Sequence, residues 1–100
     1  MVDAAARNAI TAAGYPEYMH AVGHQVGRFA HDGGTLLGPQ WERYGSGPDG
    51  VVQAREVYTL ELGIELPDAG IVSIEEMVIV TAEGCEFLTA RQTEMWLLQR

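Results

Sequence analysis

Two glutamates and three histidines are the residues of this chain best suited to chemistry. Glu61 lies in the stretch 57–65, Val-Tyr-Thr-Leu-Glu-Leu-Gly-Ile-Glu, and Glu75 in the stretch 71–80, Ile-Val-Ser-Ile-Glu-Glu-Met-Val-Ile-Val. Both are rich in β-branched residues and read as strands. Pro67, Asp68, Ala69 and Gly70 lie between them as a cluster of turn formers. A turn centred on Asp68 sets Glu61 opposite Glu75. Directly opposed side chains of an antiparallel pair lie roughly 4.5–5.5 Å apart at Cβ, and like charges there repel. Alternation places Val57, Thr59, Glu61 and Gly63 on one face with Ser73, Glu75, Met77 and Ile79, and Tyr58, Leu60, Leu62 and Ile64 on the other. These neighbours predict partly buried carboxylates, which call for a shared proton or a bound cation. A slipped register would leave both side chains in water, and the hairpin alone leaves the two readings open.

His20, His24 and His31 are all the histidines of the chain, and they fall within twelve residues. Gly23 and Gly27 flank His24 and allow a tight turn or a close approach to a ligand. In a strand His20 and His24 would point the same way. A lone histidine is more often structural than a ligand. Three in a glycine-punctuated stretch beside an acidic hairpin point to a site, although the spacing fits neither a zinc finger nor a His-Glu-x-x-His helix.

The elements that must position these groups are short. Asp3 can cap a helix running to Ala13, with Val2, Ala5, Ala6, Ala9, Ile10 and Ala13 as its apolar stripe, Gly14 as its stop and Pro16 beyond. Residues 33–50 hold six glycines and read as a long loop, either a functional lid or rim or a surface excursion anchored by Trp41. Residues 81–86 read as a turn. Thr89 and Gln92 have capping-box spacing and predict a final helix through Leu98, with Trp96 packed in the core.

One hundred residues make one small domain or part of a larger one, and 47% hydrophobic residues suffice for a core. A net charge of −8 argues against nucleic acid or an anionic membrane as partner. Cys85 is the single cysteine, so no intrachain disulfide forms and a reducing, cytoplasmic setting is expected. It reads as structural, with no basic neighbour to activate it. No stretch is long enough to span a membrane as a helix, and the first residues lack a signal-peptide layout.

With these residues in view, the chain resembles the pita-bread metallopeptidases, in particular their Xaa-Pro aminopeptidase and prolidase branch. The resemblance runs through Asp3-Ala-Ala-Ala-Arg7 to Gly14-Tyr15, His20-x-x-Gly23-His24-x-x-Gly27, His31-Asp32, Gly38-Pro39-x-Trp41, the two glutamate strands, and Gly84-Cys85-Glu86-Phe87-Leu88-Thr89. It implies an α+β partial pita-bread fold, an antiparallel sheet with flanking helices, with residues 1–100 as the C-terminal half of the catalytic domain. The family holds two divalent metals with two Asp, one His and two Glu. Carried over by position, His24, Glu61 and Glu75 are metal ligands, Glu75 bridging, and Glu61 also shuttles a proton. His20 and His31 match histidines that contact substrate or stabilise developing charge.

The chain departs from the family pattern in three places. The two Asp ligands should lie well upstream of His24, where only Asp3 is found; Leu62 stands where Pro is frequent; and Ser73 stands where Arg is frequent. The expectation is therefore a stretch carrying three of five ligands for manganese, cobalt, zinc or iron, which binds metal weakly and is inactive alone. Its expected partners are a peptide substrate and either a second copy or a missing N-terminal half. Two other readings stand beside this one: a non-catalytic peptide- or protein-binding module, and a creatinase-type amidinohydrolase.

Overall fold

Period-two alternation on either side of a turn cluster builds the centre of the fold. A computed structural model describes residues 1–99. One helix, α1 (Val2–Ala12), precedes strands β1 (Gly23–Val26), β2 (Leu36–Leu37), β3 (Val57–Leu66), β4 (Gly70–Val80) and β5 (Cys85–Phe87). The strands form one antiparallel sheet in the order β2-β1-β3-β4-β5. β3 pairs with β4 over its full length, from Val57 opposite Ile79 to Leu66 opposite Gly70, with Glu61 opposite Glu75. The turn closes with the Ala69 N–H donating to the Leu66 carbonyl at 3.1 Å. Asp68 (φ 62°) and Gly70 (φ 110°) carry its left-handed backbone, which Gly adopts freely and Asp tolerates.

One face of the hairpin is the core face. Tyr58 and Val78 are buried there with Val22 and Leu37, and Leu60, Leu62, Val80, Ala6 and Tyr18 pack around them. Thr59 is buried as well, and its Oγ1 accepts the His24 N–H at 3.0 Å. β1 approaches β3 so closely that a Cβ on Gly23 would lie inside contact distance of the Thr59 carbonyl oxygen.

The helix forms where expected but buries a different stripe. Asp3, Arg7 and Ile10 are its buried residues, and Ala6 packs on the core, whereas Val2, Ala5, Ala9 and Ala13 are exposed. Asp3 does not cap: Met1 is the N-cap residue and no side chain caps the helix. Asp3 instead accepts two bonds from Arg7, from Nη2 at 2.6 Å and Nε at 3.0 Å. Burying the guanidinium is tolerable because its donors are satisfied.

Three further expectations are corrected. Residues 33–50 are not a bare loop: they hold β2 and two 3-10 turns, Glu42–Tyr44 and Gly47–Asp49. The turn after β4 is shorter than 81–86, because Cys85 pairs with Val80, Glu86 with Ile79 and Phe87 with Val78 as β5. Cys85 is exposed there. Residues 89–98 form no helix, so α1 is the only α-helix among the described residues. The Gln92 N–H that a Thr89 capping box would use donates to Glu76 Oε1 at 3.1 Å. A ten-residue helix needs an apolar surface beneath it, and Met95, Trp96, Leu97 and Leu98 are 70–92% exposed. Trp96 is accordingly not a core residue. Among the described residues no helix is long and apolar enough to cross a membrane.

Two stability predictions follow from this packing. Gly23→Ala should cost about 3 kcal/mol, the upper end for overpacking because a backbone oxygen is in the way; urea denaturation measures it. Burial, then the bond from the Tyr58 hydroxyl to Glu56 Oε2 at 2.8 Å, raises the Tyr58 phenol above its usual value of about 10, with Thr35 opposing. The folded state thus holds that proton more tightly than the unfolded chain. The stabilisation is complete below about pH 10 and is lost as pH rises through the folded value. The thermal midpoint should fall above about pH 10 and fall more shallowly in Tyr58→Phe, with Tyr18, also raised, leaving a residual slope.

Candidate metal centre

Backbone direction fixes how the two glutamates meet. The Glu61 N–H donates to the Val22 carbonyl at 2.8 Å, so the Glu61 backbone groups turn toward β1 and away from β4. On β4, the Met77 carbonyl accepts the Leu88 N–H at 3.0 Å, so Met77, and Glu75 with the same parity, turn away from β3. Glu61 and Glu75 are therefore a non-hydrogen-bonded pair, the closer kind, with Cα atoms roughly 4.5 Å apart. Their carboxylates leave the same face of the sheet, opposite the core.

Partial burial holds for Glu61 only. Its side chain is 34% exposed, flanked by β1 on one side and β4 on the other. Glu75 is exposed, because β5 pairs with β4 only over Val78 to Val80 and leaves Glu75 without an outer strand neighbour.

His24 joins this pair from β1. Its side chain is 14% exposed, and Nε2 lies 4.0 Å from Glu61 Oε1. Nδ1 lies 3.2 Å from the Gln25 carbonyl. A carbonyl only accepts, so Nδ1 is the donor in that bond, and Nε2 is the ring nitrogen turned toward Glu61. Metal-ligating imidazoles are commonly oriented in this way. The His31 ring stacks on His24, with centroids 4.2 Å apart and planes at 32°. Asp32 holds the loop that carries His31: its Oδ2 accepts the Arg28 N–H at 2.8 Å and the Phe29 N–H at 3.4 Å.

His20 lies elsewhere. The strand begins only at Gly23, so the shared parity of His20 and His24 does not operate, and His20 sits exposed in an irregular segment. Its ring neighbours Tyr18, at 5.5 Å between centroids. Together with Gly63, Glu65, Ile71 and Ser73 of the hairpin, these two residues line a cavity of about 270 Å³. Tyr18 is a site residue that the sequence reading passed over. Burial, then the charges of Glu61, Tyr44 and Glu75, push its phenol above the usual range, with Arg7 opposing. It therefore lies within electrostatic reach of both glutamates. Thr59 was legible as a same-face neighbour of Glu61, but its bond to β1 was not. The spacing of Asp3 and Arg7, one helical turn, is a signal that could have pointed to their pairing, where the sequence reading took Asp3 as a cap.

The donor types suit a hard or borderline divalent cation: two carboxylates and an imidazole whose Nε2 is turned toward one of them. The cage does not close on these three alone. Among the described residues, no three His, Cys, Asp or Glu side chains are grouped so as to hold an ion.

Comparison with known proteins bears on the family and the fold. The model of metallopeptidase family M24 matches residues 1–82. The chain is 35% identical over 95 residues to the Xaa-Pro dipeptidase of Pyrococcus horikoshii, covering 94% of this chain and 25% of that protein. Its fold superposes on the Xaa-Pro dipeptidase from Bacillus anthracis with a TM-score of 0.78 at 36% identity, covering 96% of this chain and 25% of that one. The X-Pro aminopeptidase from Thermotoga maritima gives a TM-score of 0.78 at 30% identity, with the same coverage. The chain thus spans about a quarter of the length of the proteins it matches, and the sheet with its one helix is part of a pita-bread fold. On these grounds, the chain belongs to metallopeptidase family M24.

Proposed function

We propose that these residues form the metal-binding and substrate-facing part of a dinuclear peptidase that hydrolyses peptide bonds next to proline. The observation that carries this reading is the close Glu61–Glu75 pair with the His24 Nε2 turned toward it. Glu61, Glu75 and His24 would hold divalent metal, with manganese, cobalt, zinc or iron all suited to mixed carboxylate and imidazole ligation. A bound pair supplies Lewis acidity to the scissile carbonyl and a nucleophile at neutral pH. Glu61, flanked by strands on both sides, accepts and returns the proton. His31 beside His24, and His20 in the cavity, donate hydrogen bonds to charge developing on the substrate carbonyl.

The cavity lies along the same face of the hairpin as the glutamates, which supports a peptide laid between His20 and the strand pair. The Xaa-Pro preference rests on the names of the relatives. The one exposed cysteine fits a cytoplasmic setting. Exposed Ile71, Val72 and Ile74 at the hairpin tip suit contact with a second copy or with the remainder of a catalytic domain.

Three donors are too few to enclose two cations. Calorimetric titration of manganese into the chelator-stripped chain should show weak binding that is abolished in the Glu61→Gln, Glu75→Gln double variant. Equal binding by the two would remove the glutamate pair from the site. The same chain should leave an Xaa-Pro dipeptide intact, and rapid hydrolysis would overturn the argument from ligand count.

A further inference from the structure

His20 sits where no strand or helix holds it, yet four consecutive residues around it are each pinned by a side chain from elsewhere. Arg7 of α1 donates to the Tyr18 carbonyl through Nη1 and to the His20 carbonyl through Nη2, the latter at 2.8 Å. Arg43 donates to the Met19 carbonyl. The Tyr44 hydroxyl accepts the Ala21 N–H at 2.9 Å. Residues 18–21 thus find partners for backbone groups that a sheet or helix would otherwise satisfy.

The pinning groups are themselves joined. The Trp41 ring has both guanidinium groups against it, Arg7 at 4.9 Å and Arg43 at 4.5 Å from the ring centroid. Tyr44 stacks on Trp41, with centroids 5.9 Å apart and planes at 15°, and Arg43 also lies over the Tyr44 ring at 4.9 Å. Arg7 is fixed from its other side by Asp3. Cation–π contact orients a guanidinium plane while leaving its N–H groups free to donate. Within residues 33–50, Arg43 and Tyr44 thus hold the 18–21 segment alongside Trp41.

We propose that Arg7, Trp41, Arg43 and Tyr44 form a clamp that fixes the 18–21 backbone and so presets the His20 imidazole at the cavity mouth before any ligand arrives. These are positioning residues, since each reaches the chemistry only through the backbone that carries His20. The use of that preset imidazole in hydrolysis rests on the proposed function above; the clamp itself does not. Pre-organisation of this kind places a hydrogen-bond donor without ordering cost at the moment of binding.

The test reads the imidazole directly and needs neither metal nor substrate, so failure of the peptidase reading and failure of the clamp are distinguishable. The chain has three histidines, so their ring resonances in a proton–carbon spectrum of the intact chain can be assigned by single His→Gln variants. Trp41→Ala and Arg43→Gln should each move the His20 resonance to its random-coil position and abolish its nuclear Overhauser contact with Tyr18. His24, stacked on His31, should keep its shift. Trp41→Phe, which keeps an aromatic face for both guanidinium groups, should keep the His20 signature. An unmoved His20 resonance in either disruptive variant would overturn the proposal. So would collapse of all three histidine resonances together, because the contacts would then hold the fold and not the imidazole.

Discussion

Glu61 and Glu75 meet where the backbones of β3 and β4 turn away from each other, and much of the site follows from that one pairing. A non-hydrogen-bonded pair brings side chains closer than its alternate, so two negative charges leave the sheet almost side by side. Like charges so placed oppose folding unless something positive joins them. Nothing cationic from the hairpin itself faces them. His24 joins the pair from β1, with Nε2 turned toward Glu61 at 4.0 Å. The same pairing sends Tyr58, Leu60 and Val78 to the core, so core and site are two faces of a single register.

The second organising contact is the buried Asp3–Arg7 pair. A helix rich in alanine has little apolar area with which to hold a sheet, and α1 compensates by burying a guanidinium each of whose nitrogens finds an acceptor. Two bonds go to Asp3 and two to carbonyls of the segment ahead of β1. Removing one partner of such a pair leaves an uncompensated buried charge and costs about 3–5 kcal/mol. Through Arg7 the helix is coupled to Trp41 and to the His20 carbonyl, so an element remote from the carboxylates still reaches the segment that carries His20.

The site is built asymmetrically across its width. Glu61 is flanked on both sides by strands and takes its orientation from them, whereas Glu75 stands at a stretch of β4 beyond the reach of β5. A ligand held between them would be gripped firmly on the β1 side and openly on the other. That openness matches a chain spanning about a quarter of its relatives, in which further donors would have room to approach.

The sequence by itself determined the hairpin and its turn, and it offered the Glu61–Glu75 register beside a slipped one; the structure has the former. Side-chain alternation and a turn centred on Asp68 are properties of contiguous residues, whereas the register also depends on which face the rest of the fold covers. It also determined the extent of α1, through its alanines and the Gly14 stop. Only the tertiary structure decided which helix stripe is buried, because Arg7 is tolerable inside solely where distant carbonyls meet it. It likewise decided that His20 leaves the strand and comes to rest beside Tyr18. The fate of residues 89–98 and of Cys85–Phe87 was settled at a distance too. The Gln92 N–H is taken by Glu76, and β4 offers its edge to a three-residue strand. Local pattern fixes what pairs with its own neighbours along the chain; burial of a charge, or the choice between a cap and a cross-strand partner, depends on surfaces that only folding brings near.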